Sequence, residues 1–208
     1  MNFEDWGLIN YSESFKKQQE YVEEVSSHGE EKIIFCTHPS VVTLGRASSQ
    51  SDLSDWQGEV VQINRGGKAT YHGPSQLVVY PLIDLSKPHK VFPARDIGAY
   101  LRALENWVIE ALSAFDLKAH AISTSKESDK IFTGVWVGEK KVASIGIAVR
   151  KWITHHGCAI NLEKDDQAFS GINPCGFKTE VMSSLEQELG RKISYQEMKS
   201  ALISAFRW

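Results

Sequence analysis

The sequence predicts a single domain over residues 1–208, of mixed α and β class (α/β in the broad sense, α+β in arrangement), with a mixed sheet flanked by helices. Three observations carry this expectation. Short runs rich in β-branched and aromatic residues, bounded by turn formers, recur on both sides of one long amphipathic helix. Strand and helix signals do not alternate regularly, which argues against a repeated βαβ architecture. The chain has 208 residues, 42% hydrophobic and 24% charged, a size and composition that build one core without disulfide or metal staples.

Taken in order, Tyr11, Phe15, Val22 and Val25 recur at helical spacing, with Asn10 and Glu13 placed as a capping box, so a helix is expected early. Strands are expected over Lys32–Thr37, Val41–Leu44, Val60–Ile63 and Leu77–Leu82. From Ala94 to Phe115 an apolar stripe through Ile97, Leu101, Leu104, Val108 and Leu112 predicts the longest helix, packed on the sheet. Gly134–Val137 and Lys141–Val149 flank a Gly138-Glu139 turn and read as a hairpin, and Thr154–Asn161 reads as another strand. Two helical patterns close the chain. One surrounds Met182, Leu185 and Leu189; the other starts at Ser194, with Glu197 as its capping-box partner.

Several function classes are disfavoured at once. A net charge of −3 lacks the clustered positive excess of a nucleic-acid binder. Acidic residues near Met1, where a signal peptide would carry lysine or arginine, and the lack of any long apolar run predict a cytoplasmic protein with no membrane span. Cys36, Cys158 and Cys175 are odd in number and far apart, which suits a reducing compartment rather than a disulfide framework. No metal is expected: His155 and His156 are adjacent on a predicted strand and should point to opposite faces, with no carboxylates at ligand spacing.

Three segments carry more chemistry than packing requires. Arg65-Gly66-Gly67-Lys68-Ala69-Thr70-Tyr71-His72, continuing through Gly73-Pro74-Ser75-Gln76, crowds two glycines, two cations and a histidine between predicted strands. Glycines let backbone approach a ligand closely, and the cations suit a polar or anionic group; a surface loop with turn chemistry is an equal alternative. It is not a P-loop, because the spacing and the Gly-Lys-Ser/Thr ending are missing. Lys141 opens the apolar strand that continues through Ser144, Ile145 and Gly146, where desolvation would favour a neutral amine; an ordinary solvated hairpin lysine is the commoner case. Cys175, between Pro174 and Gly176, sits in a predicted tight turn that exposes sulfur and offers free backbone N–H groups. Cys36, inside an apolar strand, reads as an inert core thiol, and Cys158 as intermediate.

In this order, together with His156-Gly157-Cys158-Ala159-Ile160-Asn161, these segments resemble the lipoyl(octanoyl) transferase family. That pattern runs R-G-G-x-x-T-Y-H-G-P-G-Q, K-[IV]-A-[AS]-I-G, H-G-x-A-[IL]-N and I-x-P-C-G, and the likeness spans roughly residues 38–178, with Thr43-Leu44-Gly45-Arg46 also similar. Ser75 stands where the family has glycine, Lys68 where glutamine is frequent and Cys158 where leucine is frequent.

The resemblance implies a fold akin to the lipoate- and biotin-protein ligases, with Cys175 as acyl-carrying nucleophile and Lys141 as its proton partner. It implies that Arg65 through His72, Ser144 through Gly146, and Gly157, Cys158 and Ala159 line the acyl site. The implied donor is octanoyl-acyl carrier protein, and the acceptors are lysines of lipoyl domains in 2-oxoacid dehydrogenase complexes and of the glycine cleavage H protein. No cofactor is implied, since thioester-to-amide transfer is downhill, and a monomer is expected. An apolar tunnel should hold the eight-carbon chain, at about 0.8 kcal/mol per buried CH₂. Arg46, Arg65, Lys68, Arg150 and Lys151 are candidates for a local patch that meets acidic partners. The rivals are an ATP-dependent lipoate-protein ligase on the same fold and a non-catalytic acyl or carrier-protein binding module.

Overall fold

In the computed structural model, residues 1–122, 133–172 and 179–208 are described. Among these described residues, ten strands form two sheets: β1 (Asn2–Leu8), β2 (Lys32–Thr37), β3 (Val41–Leu44), β4 (Glu59–Gln62), β5 (Ala69–His72), β6 (Gln76–Leu82), β7 (Ala119–His120), β8 (Gly134–Val137), β9 (Lys140–Arg150) and β10 (Ile153–Asn161). The helices are α1 (Tyr11–His28), α2 (Ile97–Ser113), α3 (Leu185–Leu189) and α4 (Tyr195–Ala205). The larger sheet runs β1-β2-β6-β10-β9-β8-β7 and the smaller β4-β3-β5. Both are mixed: β1 with β2 and β3 with β4 are parallel, and the other pairs are antiparallel.

The central strands read as continuous apolar runs because both faces of the larger sheet are covered. Along β2, Ile33 and Phe35 join the core beneath α2 and α4, whereas Ile34 and Cys36 join a second core beneath α1, with Val22 and Val25. The same alternation divides Leu77 and Val79 from Val78 and Tyr80 on β6. A third cluster of Val42, Ala69, Tyr71, Phe169 and Ile172 joins the smaller sheet to the chain that follows β10.

Most expected elements are found within a residue or two, and the Gly138-Glu139 turn closes the β8–β9 hairpin. Four expectations are corrected. β1 was not foreseen: it is an edge strand with largely exposed or half-buried residues, so burial imposes no apolar alternation on it. β5 lies inside the segment for which the sequence predicts no strand and a surface loop is one of two readings, and it pairs antiparallel with β3. Asn10 occupies the N-cap of α1 but its side chain makes no capping bond, unlike Ser194, whose box with Glu197 is complete. Met182 precedes α3, which starts only after the N-cap Ser184.

Candidate active site

Lys141 lies on β9 opposite Trp136 of β8, and it is 1% exposed, so it is no solvated hairpin lysine. Its Nζ stands 5.7 Å from the Trp136 ring centroid. Neighbouring Lys140 is exposed and donates to the Glu180 carbonyl at the surface. The inward lysine passes beside Gly134, whose φ of 149° favours glycine. A Cβ there would stand 2.5 Å from Lys141 Cε and 3.1 Å from Nζ.

The first motif is held against the second. Gly66 N–H donates to the Ile147 carbonyl at 2.9 Å, which docks the Arg65-Gly66-Gly67 bend on β9 just past Gly146. Arg65 is 5% exposed and turns its guanidinium inward: Nη2 donates to the Thr43 carbonyl at 3.0 Å and hydroxyl at 2.8 Å, and Nη1 to the Gly66 carbonyl at 2.9 Å. Arg65 therefore shapes the bend and is removed from the expected surface patch. Of the remaining candidates, Lys68 pairs with Asp52 at 3.4 Å, while Arg150 and Lys151 share Glu23 at 2.8 and 2.6 Å. Glu23 offsets part of their charge.

The Arg65–Gln76 motif meets the His156–Asn161 motif through amides. Gln76 Nε2 donates to Asn161 Oδ1 at 2.9 Å, and Asn161 Nδ2 donates to the Ser183 carbonyl at 2.7 Å. Ser183 N–H in turn donates to the Lys141 carbonyl at 3.0 Å. Ser75, the departure from the family pattern, gives its hydroxyl to Asp165 at 2.9 Å, and the Tyr71 hydroxyl reaches the same carboxylate oxygen at 3.2 Å. A cleft of about 210 Å³ opens here, lined in part by Ser75, Asn161, Asp165, Met182 and Gln187. Its polar lining distinguishes it from the expected apolar tunnel.

Of the other predicted acyl-site residues, Ala69, Thr70, Tyr71 and His72 are buried on β5, and Ser144 pairs with Ala159 as Gly146 does with Gly157 across β9 and β10. Ile145 and Cys158 face the α2 core, opposite to Ala159. Burial pushes the Cys158 thiol up to about 12 and the Cys36 thiol higher still, so both are protonated core thiols.

Sequence reasoning missed the histidine and tyrosine cluster behind β5. The Tyr11 ring stacks on His72 with centroids 5.5 Å apart, and its hydroxyl is 3.2 Å from His156 Nδ1. His155 and His156 do not point to opposite faces: their rings are 4.9 Å apart and both meet Phe15 of α1. His156 has φ of 57°, a left-handed residue that breaks strand alternation. Desolvation, followed by the repulsion of neighbouring cationic groups, holds His72 and His156 well below the ordinary imidazole range.

Cys175 lies outside the described residues. The described part of its motif is anchored: Ile172 pairs with Leu53, and the Gly171 carbonyl accepts the N–H groups of Ser54 and Asp55. Ile172 and Met182 pack in one cluster, and Met182 forms a β-bridge to Lys141.

Residues 10–207 match the family model of the lipoyl protein ligase A/B catalytic domain. An octanoyltransferase of Bdellovibrio bacteriovorus is 48% identical, the match covering 96% of this chain and 94% of that protein. One from Citrifermentans bemidjiense is 39% identical, covering 100% and 96%. Among solved structures, lipoate-protein ligase A bound with ATP superposes with a TM-score of 0.79 at 18% identity, covering 99% of this chain and 83% of that one. The biotin protein ligase of Aquifex aeolicus superposes at 0.51 and 11% identity, covering 99% and 66%. The fold is thus that of the lipoate and biotin ligases, and the chain belongs to the lipoyl protein ligase A/B catalytic-domain family and, within it, to the octanoyltransferases.

Proposed function

We propose that this transferase moves an octanoyl group from octanoyl-acyl carrier protein, through a thioester on Cys175, to the lysine of a lipoyl domain. The observation that carries the proposal is Lys141: a lysine 1% exposed, joined through its own backbone to Ser183, Asn161 and Gln76. A lysine withdrawn from water beside a reactive thiol is placed to exchange a proton with it or to favour its thiolate. Three peptide units separate Cys175 from the anchored Ile172, a reach of at most about 11 Å.

In the first step Lys141 either takes the Cys175 proton, as the neutral amine, or stabilises the thiolate as the ammonium, and the thiolate attacks the donor thioester carbonyl. The new S–C bond forms as the carrier's own sulfur departs and is protonated. In the second step the neutral amine of the acceptor lysine attacks octanoyl-Cys175, an amide forms, and the cysteine sulfur leaves and recovers its proton. One thioester is exchanged for another and then for an amide, so neither step needs ATP. The acceptors proposed are the lipoyl domains of 2-oxoacid dehydrogenase complexes and the glycine cleavage H protein.

Intact-mass measurement after incubation with octanoyl-acyl carrier protein tests this directly. An octanoyl adduct is expected on the wild type, and none on Cys175→Ala. Acylation that persists in Cys175→Ser when ATP and free lipoate are supplied would instead establish the ligase chemistry.

A further inference from the structure

Glu105 is a carboxylate with 0% exposure on α2, where its neighbours Leu104, Trp107 and Val108 are apolar core residues. Its Oε1 accepts the Gly134 N–H at 3.0 Å. Its Oε2 lies 2.8 Å from Arg102 Nη1 in an ion pair, and that arginine is 41% exposed. On the other side of Gly134 runs Lys141, which would press within 3.1 Å of a Cβ at that position. Gly134 is thus gripped by the helix carboxylate and brushed by the lysine side chain, and the Lys141 charge acts on the Glu105 carboxyl. Burial pushes that carboxyl up, while the Gly134 N–H, Arg102 and Lys141 pull it down. A half-exposed arginine does not need a partner withdrawn from water, whereas a buried ammonium does need a nearby counter-charge.

We propose that Glu105 is a positioning residue for the transfer reaction, a helix-borne carboxylate that fixes the Gly134 backbone and supplies the buried negative charge against which the Lys141 ammonium is held. This rests on Lys141 being the proton partner of Cys175. The carboxylate favours the state in which Lys141 keeps a proton, both after the thiol has ionised and while the leaving sulfur waits for one. Among the described residues, the charged groups that face Glu105 are Arg102 from its own helix and Lys141 from β9, and the Gly134 N–H meets it from β8.

Glu105→Gln keeps an oxygen for Gly134 and removes the charge, both toward Lys141 and from the Arg102 ion pair. The rate of octanoyl-adduct formation, followed against pH, is expected to fall about tenfold in kcat with KM for the carrier unchanged, and the profile to move about one unit toward lower pH. Glu105→Asp, which keeps the charge, is expected to retain the wild-type profile. A folded Glu105→Gln with the wild-type rate and profile overturns the proposal. Should that variant not fold, titration of the Glu105 carboxyl by carbon-13 NMR in wild type and Lys141→Met is decisive: a move of about one unit to higher pH without the lysine supports the pairing, and an unchanged titration overturns it. A wild type that forms no adduct overturns the proposed function instead, which separates the two failures.

Discussion

His38 has no exposure, and its two ring nitrogens are used in opposite senses. Nδ1 is 2.7 Å from the Ile9 carbonyl, which can only accept, and Nε2 is 2.7 Å from the Tyr80 hydroxyl, which can donate. The neutral imidazole satisfies both, and desolvation lowers its pKa to about 4; His155 is lowered to about 4 for the same leading reason. A lowered histidine means that the unfolded chain binds the extra proton first. Stability is therefore full above pH 6.5 and declines as pH falls toward about 4, by up to about 3 kcal/mol for His38 alone. Urea midpoints measured across that window should fall, and His38→Gln should flatten the decline; a flat wild-type curve would contradict the neutral assignment. Gly157 imposes a steric limit of another kind. A Cβ there would stand 2.1 Å from the Val79 carbonyl of the neighbouring strand β6, so Gly157→Ala should destabilise the fold by about 3 kcal/mol in denaturant titration. That glycine was legible as part of a motif, but its close approach was not, because it depends on which strand lies beside β10.

Two helices carry similar amino-terminal sequence signatures and realise them differently. Ser194 accepts from Glu197 N–H at 3.2 Å while its own N–H donates to the Glu197 carboxylate at 2.8 Å, completing the box at α4. At α1, Asn10 stands at the cap without a side-chain bond. Ser194→Ala should cost about 1 kcal/mol and Asn10→Ala no more than a few tenths, read as urea midpoints at constant m-value. Equal losses would show that the two caps work alike. The long helix shows the same division between local pattern and context. Its apolar stripe and position were legible from spacing, and Asp96 caps it by accepting from Ala99 N–H. Glu105, placed within that stripe, carried no such signal, since its partner Gly134 N–H lies 29 residues away in sequence. β1 escaped notice for the converse reason: an exposed edge strand needs no alternating pattern.

Across the molecule, Gln76, Asn161, Ser183 and Lys141 form one polar chain from β6 through β10 to β9. Asn161→Ala should withdraw an acceptor from Gln76 and a donor from Ser183. It should cost about 2 kcal/mol of stability and lower the transfer rate about tenfold or more at unchanged carrier KM. Rates equal to wild type in the folded variant would uncouple this chain from the reaction. No helix among the described residues is long and apolar enough to cross a membrane. The mixed α and β class, most strand and helix positions and the octanoyltransferase family were determined by the sequence alone, because local periodicity, turn residues and four ordered motifs are properties of neighbouring residues. Only the tertiary structure decided that Lys141 is buried beside Gly134 and Glu105, that Arg65 turns inward to Thr43, and that His155 and His156 share a face. Each of these depends on which distant backbone lies alongside, and the hydrogen bonds and excluded water that settle the matter do not exist until the sheet is assembled.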